Sequence, residues 1–245
     1  MKLMRRYSTL TPICFVLVAA VLAGDAIAQA DTNAKQKTLG VVLYPGFEVL
    51  DVFGPVEMFM SLGTTKVRVV MIAEKAGEIP SGAAGDKAGA WSGPKVVAEY
   101  GFDNAPPIDL LMVPGGFGTM QQTQNAACLD FLRERADKAQ FVLSVCSGSA
   151  ILAKAGLLDG KKATCNKQYY GLLTSNGPKV DWQPKARWVE DGKFITSSGV
   201  SAGTDMALAV IAKLYGEDTA NGIAKGTEYI WNNDPSNDPF AKEIK

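Results

Sequence analysis

The residues best suited to chemistry are Cys146 and its small neighbours, Ser144-Val145-Cys146-Ser147-Gly148. An apolar strand runs directly into a helix there. This is the cysteine counterpart of the nucleophile elbow, a sharp strand-to-helix turn that presents one side chain at the rim of a sheet. Free N–H groups and the positive end of the helix dipole favour a thiolate at such a start, so Cys146 is expected to have a lowered pKa and nucleophilic character. Val113-Pro114-Gly115-Gly116 closes a second apolar run. Glycines let backbone N–H groups come close to a ligand, and those of Gly115, Gly116 and Ser147 form a candidate oxyanion cradle. Asp51 is the third candidate, in Glu48-Val49-Leu50-Asp51-Val52-Phe53-Gly54-Pro55. A carboxylate among Leu50, Val52 and Phe53 would have a raised pKa and could hold a proton for a nearby thiolate. The same residue could instead be a helix N-cap ahead of Gly54-Pro55.

What the chain lacks narrows the chemistry further. It contains no histidine, which rules out Ser-His-Asp and Cys-His hydrolysis, a histidine general base and the histidine-containing zinc motifs. Catalysis must therefore use cysteine, carboxylates, hydroxyls or backbone amides, and neither a metal nor a cofactor is expected. With 245 residues, 47% hydrophobic and 20% charged, the chain is long enough for one substantial core. The 25 basic residues balance the 25 acidic ones, so there is no electrostatic footprint for nucleic acid and a small molecule is the expected partner.

Short apolar runs alternate with helical patterns and bring these candidates to one place. Strands are expected at Thr38–Tyr44, Lys66–Ala73, Asp109–Val113, Gln140–Val145 and Ala163–Asn166, and helices over 48–62, 121–138, 147–158, 203–215 and about 219–231. Pro55 should kink or restart the first helix. Residues 77–93 read as a loop with a small hairpin, continued by a strand over Val96–Phe102, and Asp191-Gly192 is the strongest hairpin signal in the chain. The pattern implies a single α/β domain, a mostly parallel sheet with helices on both faces. Ligands bind beyond the carboxyl ends of the strands in such folds, where Tyr44-Pro45-Gly46, Pro114-Gly115-Gly116 and Cys146 all fall.

The amino-terminal stretch has the layout of a cleavable signal peptide over residues 1–28. Lys2, Arg5 and Arg6 precede the apolar run from Ile13 to Gly24, and Ala26-Ile27-Ala28 supplies a small-residue cleavage site. Residues 29–37 read as a disordered lead and 38–245 as the domain. The expected location is periplasmic or secreted, with no stable membrane anchor after cleavage, because the apolar run is shorter than the roughly 20 residues that span a bilayer. Cys128, Cys146 and Cys165 would remain, an odd number that cannot all pair with one another.

Five segments in order resemble the ThiJ/PfpI superfamily, which has the class I glutamine amidotransferase-like, flavodoxin-like sandwich. They are Tyr44-Pro45-Gly46-Phe47, Leu50-Asp51-Val52-Phe53-Gly54-Pro55, Val113-Pro114-Gly115-Gly116, Ser144-Val145-Cys146-Ser147-Gly148-Ser149 with Ala155-Gly156-Leu157-Leu158-Asp159-Gly160, and Gly199-Val200-Ser201-Ala202-Gly203-Thr204-Asp205. The Asp-x-x-Gly-Pro form and the hydroxyl residue after cysteine are most similar to the isonitrile hydratase branch. That resemblance implies Cys146 as nucleophile, Asp51 as acid, Ser147 in the place of a common threonine, hydration of an isocyanide to an N-substituted formamide without a cofactor, and a homodimer. Many relatives carry histidine where this chain has Asn166-Lys167. The alternatives are action on reactive carbonyls and a redox or stress-sensing role with an oxidisable Cys146.

Overall fold

The computed structural model describes residues 35–82, 91 and 93–244. The expected signal peptide and residues 29–34 of the expected lead lie outside those residues, and the last residue of that lead, Lys37, belongs to the first strand. In chain order the first elements are β1 (Lys37–Val42), α1 (Val49–Met60), β2 (Val67–Ala73), β3 (Gly77–Pro80), β4 (Lys95–Ala98), β5 (Tyr100–Gly101) and β6 (Leu110–Val113). Then come α2 (Thr119–Gln122), α3 (Ala126–Lys138), β7 (Phe141–Ser144), α4 (Gly148–Lys154), β8 (Lys162–Ala163), α5 (Tyr170–Thr174) and β9 (Asp181–Trp182). β10 (Trp188–Asp191), β11 (Phe194–Ser197), α6 (Ala202–Tyr215) and α7 (Glu217–Gly226) follow.

Seven strands form the main sheet in the order β10-β11-β7-β6-β1-β2-β5. All its pairs are parallel except β10–β11, which Asp191-Gly192 joins as a hairpin with Gly192 at φ 63. β6 and β7 are buried along their whole length, as strands covered on both faces must be. Helices pack in two groups, α1 with α6 and α7, and α4 with α2 and α3. The expected α/β class is therefore the one observed. β7, β6 and β1 are consecutive neighbours, so the three strand ends that carry the candidate residues lie side by side.

Several elements differ from their sequence patterns for local reasons. α1 continues through Pro55 without a second start; the proline has no N–H to give to the carbonyl of Asp51, four residues back. The helical pattern over 121–138 is two helices, because Asn125 accepts the Cys128 N–H at 3.3 Å and caps a new start. The helix after Cys146 is regular only to Lys154, and Gly156 at φ 77 follows its end. Of the strand expected over Ala163–Asn166 only Ala163 lies in one, paired together with Lys162 to β9. α7 stops at Gly226 rather than near Trp231, and the chain beyond it returns to the domain.

That returning segment closes a buried cluster of charge beside Asn166. Lys167 donates to Thr164 Oγ1 at 2.7 Å and to the Ala186 carbonyl at 2.8 Å, and lies 3.8 Å from Asp238 Oδ2. Arg187 donates through Nε to Asp205 Oδ2 at 2.6 Å and sits 3.9 Å from Asp238. Asp205 also accepts from Tyr229 Oη and the Asn232 N–H, both at 3.0 Å, and the Ser198 hydroxyl donates to Asp238. Two cations and two anions thus leave water together, with their remaining bonds met by neutral partners. Removing one member strands an opposite charge. Asp205→Ala is expected to cost about 3–5 kcal/mol of stability through an uncompensated Arg187, read as a lowered urea midpoint at unchanged slope; a midpoint equal to that of the native protein would show that the cluster contributes nothing.

Candidate active site

Cys146 follows the end of β7 by two residues and has φ 57, one of two positive values at non-glycine residues among the described residues. A left-handed backbone costs a side chain-bearing residue roughly 1–3 kcal/mol and persists only where surrounding contacts impose it. Here the contacts are close. A Cβ on Gly115 would fall 2.5 Å from both Ser147 N and Ser147 Oγ, and one on Gly116 would fall 2.3 Å from the Gly46 carbonyl. Glycines at the end of β6 therefore let the β1, β6 and β7 edges converge on the cysteine.

Asp51 occupies the first turn of α1, is fully buried and caps nothing. Its Oδ2 accepts the Gly115 N–H at 2.7 Å, while Oδ1 has no hydrogen-bond partner. The N-cap alternative is thereby excluded. Burial pushes the Asp51 carboxyl well above the usual range; the Gly115 bond opposes the rise, Glu48 adds to it, and the neighbouring Cys146 thiol acts downward. With Oδ2 committed as an acceptor, Oδ1 is the oxygen left to carry a proton.

The thiol departs from its expected state. Burial, and then the charge of Asp51, raise the Cys146 pKa well above the ordinary value, whereas bonds from Asn166 and Ser147 act downward. The donors at the helix start are present as expected, but desolvation outweighs them. Cys146 and Asp51 are thus two buried acids that disfavour a second negative charge and titrate as a pair.

The cradle is also arranged differently from expectation. The Gly115 N–H is taken by Asp51 and the Gly116 N–H donates to Ser147 Oγ at 3.0 Å, so neither is a free oxyanion donor. The Ser147 N–H and Asn166 remain at the sulfur. Ser147 Oγ lies 2.7 Å from Thr119 Oγ1, which lies 3.2 Å from Tyr44 Oη, which donates to the Pro114 carbonyl at 2.7 Å. Tyr44 spends its one hydrogen on Pro114, which leaves that of Thr119 for Tyr44. The Ser147 hydroxyl also lies 3.4 Å from the Gly116 carbonyl and is among the groups that lower the Cys146 pKa.

Asn166 is the residue that sequence reasoning left without a role. Its Nδ2 donates to Cys146 Sγ at 3.2 Å, while its Oδ1 accepts the N–H groups of Gln168 at 2.9 Å and Tyr169 at 3.2 Å. Those two bonds fix which end of the amide faces sulfur. Asparagine just before a helix start is a familiar signal for such side chain-to-backbone bonding, and it could have drawn attention to this position. Cys146, Ser147, Asn166, Glu48, Phe117 and Tyr169 help to line a cleft of about 270 Å³.

Residues 37–213 match the DJ-1/PfpI family. The chain belongs to that family. An isonitrile hydratase of Pseudomonas putida is 34% identical over 191 residues, which cover 78% of each protein. A ThiJ/PfpI family protein from Pseudomonas syringae, known from its crystal structure, is 28% identical and superposes with a TM-score of 0.71 over 87% of this chain and 84% of the other. The HTH-type transcriptional regulator GbdR of Pseudomonas aeruginosa is 31% identical over 133 residues, 54% of this chain and 36% of the regulator. The DJ-1/PfpI fold thus occurs in an enzyme and in regulators alike.

Cys128 and Cys165 are buried, their thiols pushed up to about 12 by desolvation, and neither lines the cleft. Iodoacetamide should therefore label Cys146 first in the native protein. Asn166→Ala should slow that labelling about tenfold and move its pH midpoint upward, since a bond to a charged group is worth about 1.5–3 kcal/mol. Peptide mapping and a pH–rate profile read both; preferential labelling of Cys128 or Cys165 would contradict the assignment.

Proposed function

We propose that this DJ-1/PfpI protein hydrates an isocyanide to an N-substituted formamide, with Cys146 as nucleophile and Asp51 as acid. The observation that carries the reading is the buried, unpartnered Oδ1 of Asp51 in the same site as a cysteine held by Asn166. The 34% identity to an isonitrile hydratase supports it. In the reactive form Asp51 holds the proton and Cys146 the charge, where the Ser147 N–H and the Asn166 amide meet it. The proton passes from Oδ1 to the isocyanide carbon as sulfur adds to the same atom, giving a thioimidate and leaving Asp51 ionised. Water then adds to that carbon, one of its hydrogens going to the substrate nitrogen. Asp51 takes the other as the carbonyl forms, the carbon–sulfur bond breaks, and the formamide leaves with Cys146 as thiolate and Asp51 protonated. The cycle closes without histidine.

The test is turnover. Purified protein given cyclohexyl isocyanide should release N-cyclohexylformamide catalytically, and Cys146→Ser should release none. Asp51→Asn should lose about 10²- to 10⁴-fold in rate, the usual contribution of a positioned acid, while its Cys146 still alkylates. Formation of oxidised Cys146 with no formamide would replace this reading by a redox one.

We also propose secretion, on the pattern of Lys2, Arg5, Arg6, the apolar run and Ala26-Ile27-Ala28. Protein recovered from the periplasm should begin at Gln29 or Asp31 by amino-terminal sequencing; a full-length chain in the cytosol would overturn this.

A further inference from the structure

The hydration reading uses the floor of the cleft and leaves its mouth unexplained. Four apolar side chains surround that mouth, Phe117, Met120, Tyr169 and Leu172, and each is partly exposed to water, Phe117 at 53% and Tyr169 at 47%. Glu48 joins them on the wall, partly buried at the start of α1, its backbone fixed by donation of its N–H to the Gly115 carbonyl at 2.8 Å. Among the described residues no lysine or arginine lines the cleft. Lys167, although next to Asn166 in sequence, turns inward to Thr164 and the Ala186 carbonyl. The wall therefore combines aromatic faces, aliphatic side chains and one carboxylate without a compensating cation. Aromatic faces attract cations, and a partly buried carboxylate attracts them more strongly than one in open water. Neutral apolar molecules gain only the apolar part of this surface, and anions meet repulsion from Glu48.

We propose that the cleft selects a substrate with an apolar body and a positively charged group, the charge being met by Glu48 and the rings of Phe117 and Tyr169. The inference rests on this cleft being the substrate site but not on isocyanide chemistry, so its test is a binding measurement on Cys146→Ala protein, separate from any turnover assay. The probes are cyclohexylammonium, cyclohexanol and cyclohexanecarboxylate, titrated calorimetrically at low and high ionic strength.

At low ionic strength the ammonium should bind on the order of tenfold more tightly than the alcohol, the sum of a cation–π contact and a modest ion pair, and the carboxylate should bind most weakly. High ionic strength should narrow the gap. Adding Glu48→Gln should cut the ammonium preference to about threefold, the cation–π share, and leave the alcohol unchanged, which also reports that the variant is folded. Tyr169→Leu should weaken the ammonium about threefold with the alcohol retained. Should Glu48→Gln fail to fold, the salt dependence and Tyr169→Leu decide. The proposal is overturned if ammonium and alcohol bind equally, if no probe binds, or if the preference survives both substitutions. It is overturned equally if Glu48→Gln lowers formamide formation from neutral isocyanides while the probes show no preference for charge, because Glu48 would then act only on Asp51.

Discussion

The bond from the Gly115 N–H to Asp51 Oδ2, 2.7 Å long, is the contact around which the site is organised. It ties the end of β6 to the first turn of α1 at the place where the β7 elbow arrives, and it exists only because residue 115 has no side chain. A single methyl group there would sit 2.5 Å from the Ser147 backbone nitrogen. The same bond divides the carboxyl into two unlike oxygens. One is an acceptor for a backbone amide; the other is buried without a partner and is the atom to which a proton can be added with least loss.

From this division follows the separation of duties at the sulfur. Asn166 is held as a donor by two backbone N–H groups on its oxygen, so it stabilises negative charge but has no proton to exchange. Ser147 is engaged by the Gly116 N–H and by Thr119. In a chain without histidine, the proposed proton store is Asp51, and burial raises its affinity for a proton. An amide at position 166 can orient a thiolate but cannot cycle protons for it.

The sheet was legible wherever apolar runs were short and bounded. β1, β2, β6 and β7 begin and end within about two residues of their patterns, and Asp191-Gly192 marks the hairpin that carries β11. Cys146 and Asp51 were legible as residue types in context, but whether Asp51 capped a helix or held a proton depended on an N–H donor distant in sequence. Gly115 and Gly116 illustrate the converse. Their need to be glycine was readable, yet their amides serve Asp51 and Ser147 rather than a ligand, since pairing of buried N–H groups is decided by three-dimensional neighbours. The contacts of Ser147 with Thr119 and of Thr119 with Tyr44, and those among Lys167, Arg187, Asp205 and Asp238, went unseen for the same reason: no periodicity connects side chains that meet only after the chain has folded back.

The segment beyond α7 sets an order in time. A polypeptide is synthesised from its amino end, and domains fold as their parts become available. Cys146, Asn166 and Lys167 are made well before Asp238 and the Pro235 carbonyl that help to neutralise and anchor the cluster beside them. Until those residues emerge, Lys167 has no anion to accompany it into the interior, and the loop that aims Asn166 at the sulfur lacks its anchor. A nascent chain would thus hold a cysteine without its full set of donors. The surroundings of Cys146 are, in this sense, completed late in the protein's own synthesis.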